Sequence, residues 1–494
     1  MNLFNNIKKI IQTHLFNNVD DSFELSLKKG LYKRQFVLGP YWIKKFERWN
    51  NVKICDDLYL SSHPELEVTK VCSGDMTFVL IGYILDPYHV EATNQQILNT
   101  IADQNRKNLS ELFNNLVQYG GRWILIVISK KQKMMFSDAA GLRQVFYFQD
   151  TNQFTWCASQ PGLLAEELKI KPDPEAVDFM DWVNHQRVEE YWWPDDRSLY
   201  RAIRHLLPNH YLDLTNCKVC RFWPSKKIEK VSLNDGVEKG AEILTGLLKS
   251  AHLRFPLALA VTAGWDSRLL LAASRDISQK VFYYTLLYHK VTREHMDVDI
   301  PGRILARLNL DHHIIDCSDS MDNEFAEIYL HNVSCAHEYW GGIAQGIIKN
   351  FPDNHVHIKG NISEIARIGN RYKMDLSTAS GESIARIFQL DKVYFAQKYI
   401  KKWVDRSIDC CSKNNINIME LFRWENISGN WLAMAQQEQD IAYEVFIPFN
   451  CRLLLEIFLG VDENLRGHQE CVLYRNIISE LWPEVLCEEI NPKD

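Results

Sequence analysis

The chain has 494 residues, 46% hydrophobic and 24% charged, with 56 Lys+Arg against 63 Asp+Glu for a net charge of −7. That composition suits a globular protein of two or three domains and excludes a mainly disordered, collagen-like or low-complexity chain. No global basic field advertises nucleic acid, and no apolar run approaches the roughly 18 residues that span a bilayer, so neither a nucleic-acid partner nor a membrane span is expected.

In chain order, Leu3, Phe4, Ile7, Ile10, Ile11, Leu15 and Phe16 fall at helical spacing and predict an amphipathic N-terminal helix within residues 1–25. Lys8 and Lys9 interrupt the only apolar stretch there, so it does not read as a secretory signal. The twelve cysteines are scattered, and the Cys217/Cys220 pair has no second pair at zinc-finger spacing. Reduced thiols in a cytoplasm are the better reading.

Strand patterns follow at Phe78–Ile84, Trp123–Ser129 and Gln144–Phe148, with a polar helix predicted over Asn94–Gln118. Strands broken by one helix suggest an α+β unit. Tyr211–Leu214 and Val219–Trp223 read as a hairpin closing this half, and the polar run Ser225–Asp235 as a linker. Beyond 236 the pattern alternates: helix 236–252, strand Pro256–Thr262, a helix opening near Ser267, strand Val281–Leu287, helix Met296–Leu308, strand His313–Asp316, a long helical region and strand His355–Lys359. The last hundred residues read as helical. Alternation of this kind implies a parallel sheet.

The chemistry concentrates in Val261-Thr262-Ala263-Gly264-Trp265-Asp266-Ser267-Arg268. An apolar strand runs into a tight turn of small residues and a helix starts at once. A helix N-terminus at the carboxyl end of a parallel strand presents free N–H groups and a positive dipole end to an anion. Thr262 and Ser267 add hydroxyls, and Gly264 lets the backbone come close. Asp266 is out of place in a bare phosphate site but suits one where Mg²⁺ rides on the phosphates. The bland alternative is an ordinary helix-capping turn. No G-x-x-x-x-G-K-[ST] occurs, so this is not the loop that cradles a transferable γ-phosphate.

This segment resembles the PP-loop, S-G-G-x-D-S, of the ATP pyrophosphatases. Other stretches are similar to the asparagine synthetase-like branch of that superfamily. His295-Met-Asp297-Val-Asp299 through His312-His313 resembles its second nucleotide-domain unit. Lys359-Gly360-Asn361-Ile362-Ser363-Glu364-Ile365 resembles its G-E-G-S-D-E loop, and Ile447-Pro448-Phe449-Asn450 its P-F-L-D segment. Arg197–Leu214 with Arg221-Phe-Trp-Pro224 looks like the linking hairpin. Gly121-Arg122-Trp123 and Asp138–Tyr147 look like late strands of the glutaminase-type domain.

The resemblance implies a two-domain chain. Residues 30–230 would form an α+β Ntn-type αββα sandwich, a degenerate class II glutamine amidotransferase-like domain with its linking hairpin. Residues 236–494 would form an α/β PP-loop synthetase domain with a parallel sheet and a helical C-terminal part. The implied activity is AMP- and pyrophosphate-forming amide ligation with ATP and Mg²⁺ as cofactors. Family glutaminases use an N-terminal cysteine whose α-amine is the base. Here Met1 precedes Asn2 and the first cysteine is Cys55, so glutamine hydrolysis is expected to be lost, as in β-lactam synthetases and lasso-peptide cyclases. The nitrogen then comes from ammonia, a partner glutaminase or an amine of the substrate. The acyl substrate is a small-molecule or peptide carboxylate, in natural-product or peptide maturation or in polysaccharide amidation, and a homodimer is compatible.

By the same resemblance, Val261 to Arg268, Thr285 and Gly360 would bind ATP and pyrophosphate, and Asp266 and Glu364 would hold the metal. Lys359 or Lys493 would supply the cation for the amide step. His337, Glu338, Tyr339, Trp340 and Asn361 would line the acceptor pocket. Asn361 replaces a family glutamate, Glu364 a family aspartate, and Trp265 a small or aliphatic residue. The alternative on the same fold is a catalytically inactive nucleotide-binding scaffold.

Overall fold

The structure is a computed structural model describing residues 30–106, 108–288, 290–352, 354–367, 374–467 and 470–492. The helix expected within 1–25 and Lys493 lie outside the described residues.

Twelve described strands between residues 36 and 221 are β1 (Phe36–Gly39), β2 (Asn50–Cys55), β3 (Leu58–Ser62), β4 (Val68–Ser73), β5 (Met76–Leu85), β6 (Gly120–Ile128), β7 (Lys133–Ser137), β8 (Phe146–Gln149), β9 (Thr155–Ala158), β10 (Arg204–His205), β11 (His210–Asp213) and β12 (Lys218–Arg221). They form two six-stranded antiparallel sheets, ordered β10-β8-β9-β1-β3-β2 and β12-β11-β7-β6-β5-β4.

The period-2 alternation of β5 and β6 separates two cores. Val79, Ile81, Ile124 and Ile126 face Phe36, Leu38 and Leu60 of the other sheet. Phe78, Leu80, Leu125 and Val127 face Ile97, Leu98 and Ile101 of the helix Asn94–Asn105. On the outer face of the first sheet, Val37, Trp156 and Ala158 join Leu163 and Leu164 of the helix Pro161–Leu168. The layers therefore run helix, sheet, sheet, helix.

The helix expected over Asn94–Gln118 is shorter. It ends at Asn105, whose side chain donates back to the Ile101 carbonyl at 2.8 Å, and a separate turn spans Leu112–Asn115. Asn108 accepts from the Ser110 amide at 3.0 Å, an Asx turn that competes with helix.

A third sheet is wholly parallel: β13 (Leu257–Ala260), β14 (Val281–Leu287), β15 (His313–Asp316), β16 (Val356–Ile358) and β17 (Glu444–Phe446), ordered β15-β14-β13-β16-β17. Strand β17 corrects the expectation of an all-helical last hundred residues. Three residues inside helical sequence carry too little periodicity to announce a strand. The helix predicted over 236–252 spans Leu233–His252, because Ser232 accepts from the Asp235 amide and starts it early. The helix expected from Ser267 opens at Trp265.

The antiparallel and parallel parts share one continuous core and a buried polar seam. Arg122 is 1% exposed and bonds Asp440 at 2.8 Å and Glu444 at 2.9 Å. Asn450 donates to the Gly121 carbonyl at 2.7 Å and accepts from the Ala140 amide at 2.8 Å. Each of these groups satisfies a partner from the other part, as buried polar atoms require. No described helix is long and apolar enough to cross a membrane.

Candidate functional site

The strand order places β13 between β14, which follows it in sequence, and β16, which arrives by a long excursion. The connections after β13 and β16 thus leave the same edge of the sheet at a topological switch point, where crevices open in parallel sheets. The first of these connections is 261–264 and the second 359–363. They touch: a Cβ on Gly360 would stand 2.7 Å from Asp266 Cβ and 3.3 Å from the Ser267 nitrogen. Only glycine permits that approach.

The helix Trp265–Ala273 forms because Leu269, Leu270, Leu271, Ala272 and Ala273 are strong helix formers and fully or nearly fully buried. Gly264 is its N-cap, and no side chain fills the cap. Asp266 in its first turn suits the positive dipole end. The loop before it is closed on itself. Ser267 Oγ accepts from the Thr262 amide at 3.0 Å and meets Thr262 Oγ1 at 3.0 Å. The Ala263 amide donates to Asp297 Oδ1 at 2.9 Å, so a carboxylate oxygen already sits on one loop N–H. Val261 is anchored by its amide to the Tyr284 carbonyl at 2.9 Å and by its carbonyl to Thr285 Oγ1 at 2.8 Å. Thr285 Oγ1 also meets His312 Nε2 at 2.9 Å, bringing a residue of the expected HH strand start beneath the loop.

Asp266 is the centre of the contact between the two connections. Its Oδ1 accepts from Ser363 Oγ, and its Oδ2 lies 2.6 Å from Arg367 Nη2. Burial pushes this carboxyl up to about 6, Arg367 opposing the shift and Glu364 adding to it. Burial works against the Arg367 charge, and Asp266 more than restores it. Glu364 is half-buried at the start of the helix Glu364–Arg367, close enough to act on both.

Two expected roles change. Arg268 is 0% exposed and donates to the Glu488 carbonyl at 2.6 Å, to that of Val485 at 3.4 Å and to that of Glu489. It fastens the C-terminal segment instead of lining an anion site, because backbone carbonyls there are its only described acceptors. That segment returns over the loop: the Asn491 amide donates to the Ala263 carbonyl at 3.2 Å. Trp265 is 3% exposed, with Arg475 stacked 5.2 Å from its ring centroid, so it packs under the loop.

The proposed metal pair does not fit a metal. Both Asp266 oxygens have protein donors, one of them a guanidinium. The described residues hold no group of three or more His, Cys, Asp or Glu placed to bind an ion.

Lys359 and the residues 337–340 meet at one helix, Ala433–Gln439, where the sequence reading saw no site. Gln436, Gln437, Glu438, Gln439 and Asp440 are five consecutive polar residues, none more than 4% exposed. Lys359 Nζ reaches Gln436 Oε1 at 3.4 Å and lies 5.1 Å from the Tyr443 ring centroid. Burial, with Arg122 nearby, pushes its amine down to about 7 against the pull of Asp440. His337 Nδ1 meets Glu438 Oε1 at 2.9 Å, and Gln439 donates to the Trp340 carbonyl at 3.0 Å. His337 is 2% exposed and Glu338 exposed, while Tyr339, Trp340 and Asn361 are half-buried. Gln437 Oε1 and Trp340 Nε1 are buried without a described hydrogen-bond partner. A wide-turn segment, Arg423–Leu432, leads into this helix; such stretches recur at functional sites.

A cavity of about 660 Å³ lies elsewhere, at the amino ends of β16 and β17, bordered by Lys33, Arg34, His355, His357 and Tyr443. Ligand sites in parallel sheets gather at the opposite, carboxyl edge, so volume and topology point to different places; the topology is the stronger guide.

No protein-family model matches the chain, and no curated protein matches it. Three solved structures show remote likeness. One is described as the allosteric regulatory enzyme of purine biosynthesis, at 10% identity and a TM-score of 0.26 over 63% of this chain and 75% of that one. Glutamine phosphoribosylpyrophosphate amidotransferase from B. subtilis, complexed with ADP and GMP, gives 9% and 0.22 over 67% and 90%. Glutamine-dependent NAD+ synthetase from Acinetobacter baumannii, in complex with ADP, gives 12% and 0.18 over 49% and 58%. At such scores these likenesses carry no argument about this chain.

Proposed function

We propose that the chain is an ATP-dependent ligase that activates a carboxylate as its adenylate and passes the acyl group to an amine. The observation that carries this reading is the meeting of loop 261–267 with Gly360 at the switch point of the parallel sheet. In the reading, residues 236–494 are the synthetase unit. Residues 30–230 keep a glutaminase-type scaffold.

The substrate carboxylate oxygen attacks the α-phosphorus, the bond from that phosphorus to the bridging oxygen breaks, and pyrophosphate leaves. Backbone N–H groups at the start of the Trp265–Ala273 helix meet the leaving charge, and catalysis is mainly positioning and electrostatics. The amine then attacks the acyl carbon and AMP departs. Lys359, with its amine pushed down to about 7, takes the amine proton in this scheme, a base role in place of the cation expected from sequence. The acceptor side is the buried polar stretch Gln436–Asp440 with Tyr339, Trp340 and Asn361. The acyl partner is a small-molecule or peptide carboxylate, with ammonia, a partner glutaminase or the substrate's own amine as nitrogen donor.

The Asp266–Arg367 pair favours a second reading, a nucleotide-binding protein without turnover, because the family's metal-binding carboxylate is engaged. Exchange of radiolabelled pyrophosphate into ATP, with pools of carboxylic acids, separates the two. Exchange with AMP as product supports the ligase; ATP binding without exchange supports the second reading; absence of both overturns each.

A further inference from the structure

The reading above brings a divalent cation with it, and the residues present do not accommodate one. A metal bridging phosphates and protein is held by carboxylate oxygens whose charge faces the ion. Here Asp266 Oδ2 is 2.6 Å from a guanidinium nitrogen and Oδ1 holds the Ser363 hydroxyl. A doubly charged ion at that oxygen would be forced against the Arg367 charge. The donor set is that of a built-in cation.

We infer that Arg367 stands in for the metal, and that the loop binds its polyphosphate, nucleotide or pyrophosphate, free of divalent cation. Three observations converge. Arg367 is 7% exposed and reaches the first turn of the Trp265–Ala273 helix, where the backbone donors begin. Its Nε is buried and has no hydrogen-bond partner among the described residues, a donor left over where burial makes an unmet N–H costly. The neighbouring Ala263 amide holds a carboxylate oxygen of Asp297, so a loop N–H already serves an oxyanion. A guanidinium has five N–H donors in a planar fork matched to phosphate oxygens, and it keeps its charge when buried. Glu364, the remaining carboxylate at the site, adds negative charge close to Asp266 and Arg367.

This inference rests on the proposed nucleotide site, and the test separates the two. The full chain is titrated with ATP and, separately, with inorganic pyrophosphate by calorimetry, once in excess EDTA and once with Mg²⁺. The expected dissociation constants agree within about threefold between the two conditions. Arg367→Ala weakens binding by at least about tenfold in both, the scale of one lost charge-assisted hydrogen bond. If that variant fails to fold because Asp266 is left unpaired, the double variant D266N/R367Q replaces the ion pair by amides and is expected to lose metal-free binding equally. Binding at least about tenfold weaker in EDTA than in Mg²⁺ overturns the built-in cation and leaves the nucleotide site standing. Binding of neither probe in either condition overturns both.

Discussion

Arg367 Nη2 lies 2.6 Å from Asp266 Oδ2, joining the connection after β16 to the first turn of the helix after β13. The pair closes the switch point with a guanidinium. It turns a loop that reads as a metal-assisted phosphate site into one whose positive charge is covalently part of the chain.

Asp297 competes for the same loop. Its Oδ1 accepts from the Ala263 amide at 2.9 Å, and its charge repels an incoming phosphate. Asp297→Asn keeps an acceptor oxygen and removes the charge. The affinity for ATP and pyrophosphate is expected to rise about threefold to tenfold, read by calorimetry at low ionic strength, with the gain shrinking as salt is added.

Lys359 has a definite pH signature. Its folded pKa, about 7, lies below the ordinary lysine value because of burial and Arg122. The unfolded chain therefore binds the extra proton between about pH 7 and pH 10, and stability rises with pH across that window. Below pH 7 both states are protonated and the burial penalty is fully present. Lys359→Met removes this term, so the wild type gains on the variant as pH rises from about 7 to about 10, measured by urea denaturation at fixed ionic strength. If Lys359 is the base, the amide-forming rate rises with pH and levels near 7, and Lys359→Arg abolishes that inflection.

Arg268 is predicted to hold the C-terminal segment. Arg268→Ala loses its bonds to the Val485, Glu488 and Glu489 carbonyls and costs about 3 kcal/mol. Amide exchange over 485–491 is expected to accelerate well before the rest of the domain opens. Unchanged protection there would contradict the assignment.

His337 and Glu438 form a buried pair at 2.9 Å. Burial works against the imidazolium, and Glu438 outweighs it, so the folded pKa is raised. His337→Ala leaves a buried carboxylate short of its partner and is expected to cost about 3–5 kcal/mol. With a raised folded pKa, the pair's contribution is complete below the unfolded value of about 6.5 and is lost as pH rises through the folded one. The deficit of His337→Gln relative to wild type should accordingly narrow from pH 6 towards pH 9 in denaturation measurements.

Much of the architecture was legible because periodicity carries it. Val281–Leu287 and His313–Asp316 are strands with the bounds their apolar runs predict, and Met296–Arg307 is a helix one residue shorter than expected. Strand β17 escaped because three residues have no period to read. The site was half legible. The strand–turn–helix of Leu257–Ala273 follows from local sequence. What occupies Asp266 does not, since Arg367 reaches it from 101 positions away in sequence. Arg268 misled for the opposite reason: adjacency to the loop said nothing about its carbonyl partners some 220 residues later. A signal was present for the acceptor side, because Gln436 to Asp440 are five successive polar residues inside a helical stretch, a pattern that a helix packed on all sides avoids unless its polar groups are used.

The most direct test of the account is where ATP sits. The full chain is irradiated with 8-azido-ATP and the labelled peptides are mapped by mass spectrometry, with ATP as competitor. The account predicts competed label on peptides that border the switch point, those carrying Val261–Arg268, Thr285 or His312. Competed label at His355, His357 or Tyr443 would place the nucleotide in the cavity at the other edge of the sheet and contradict the account.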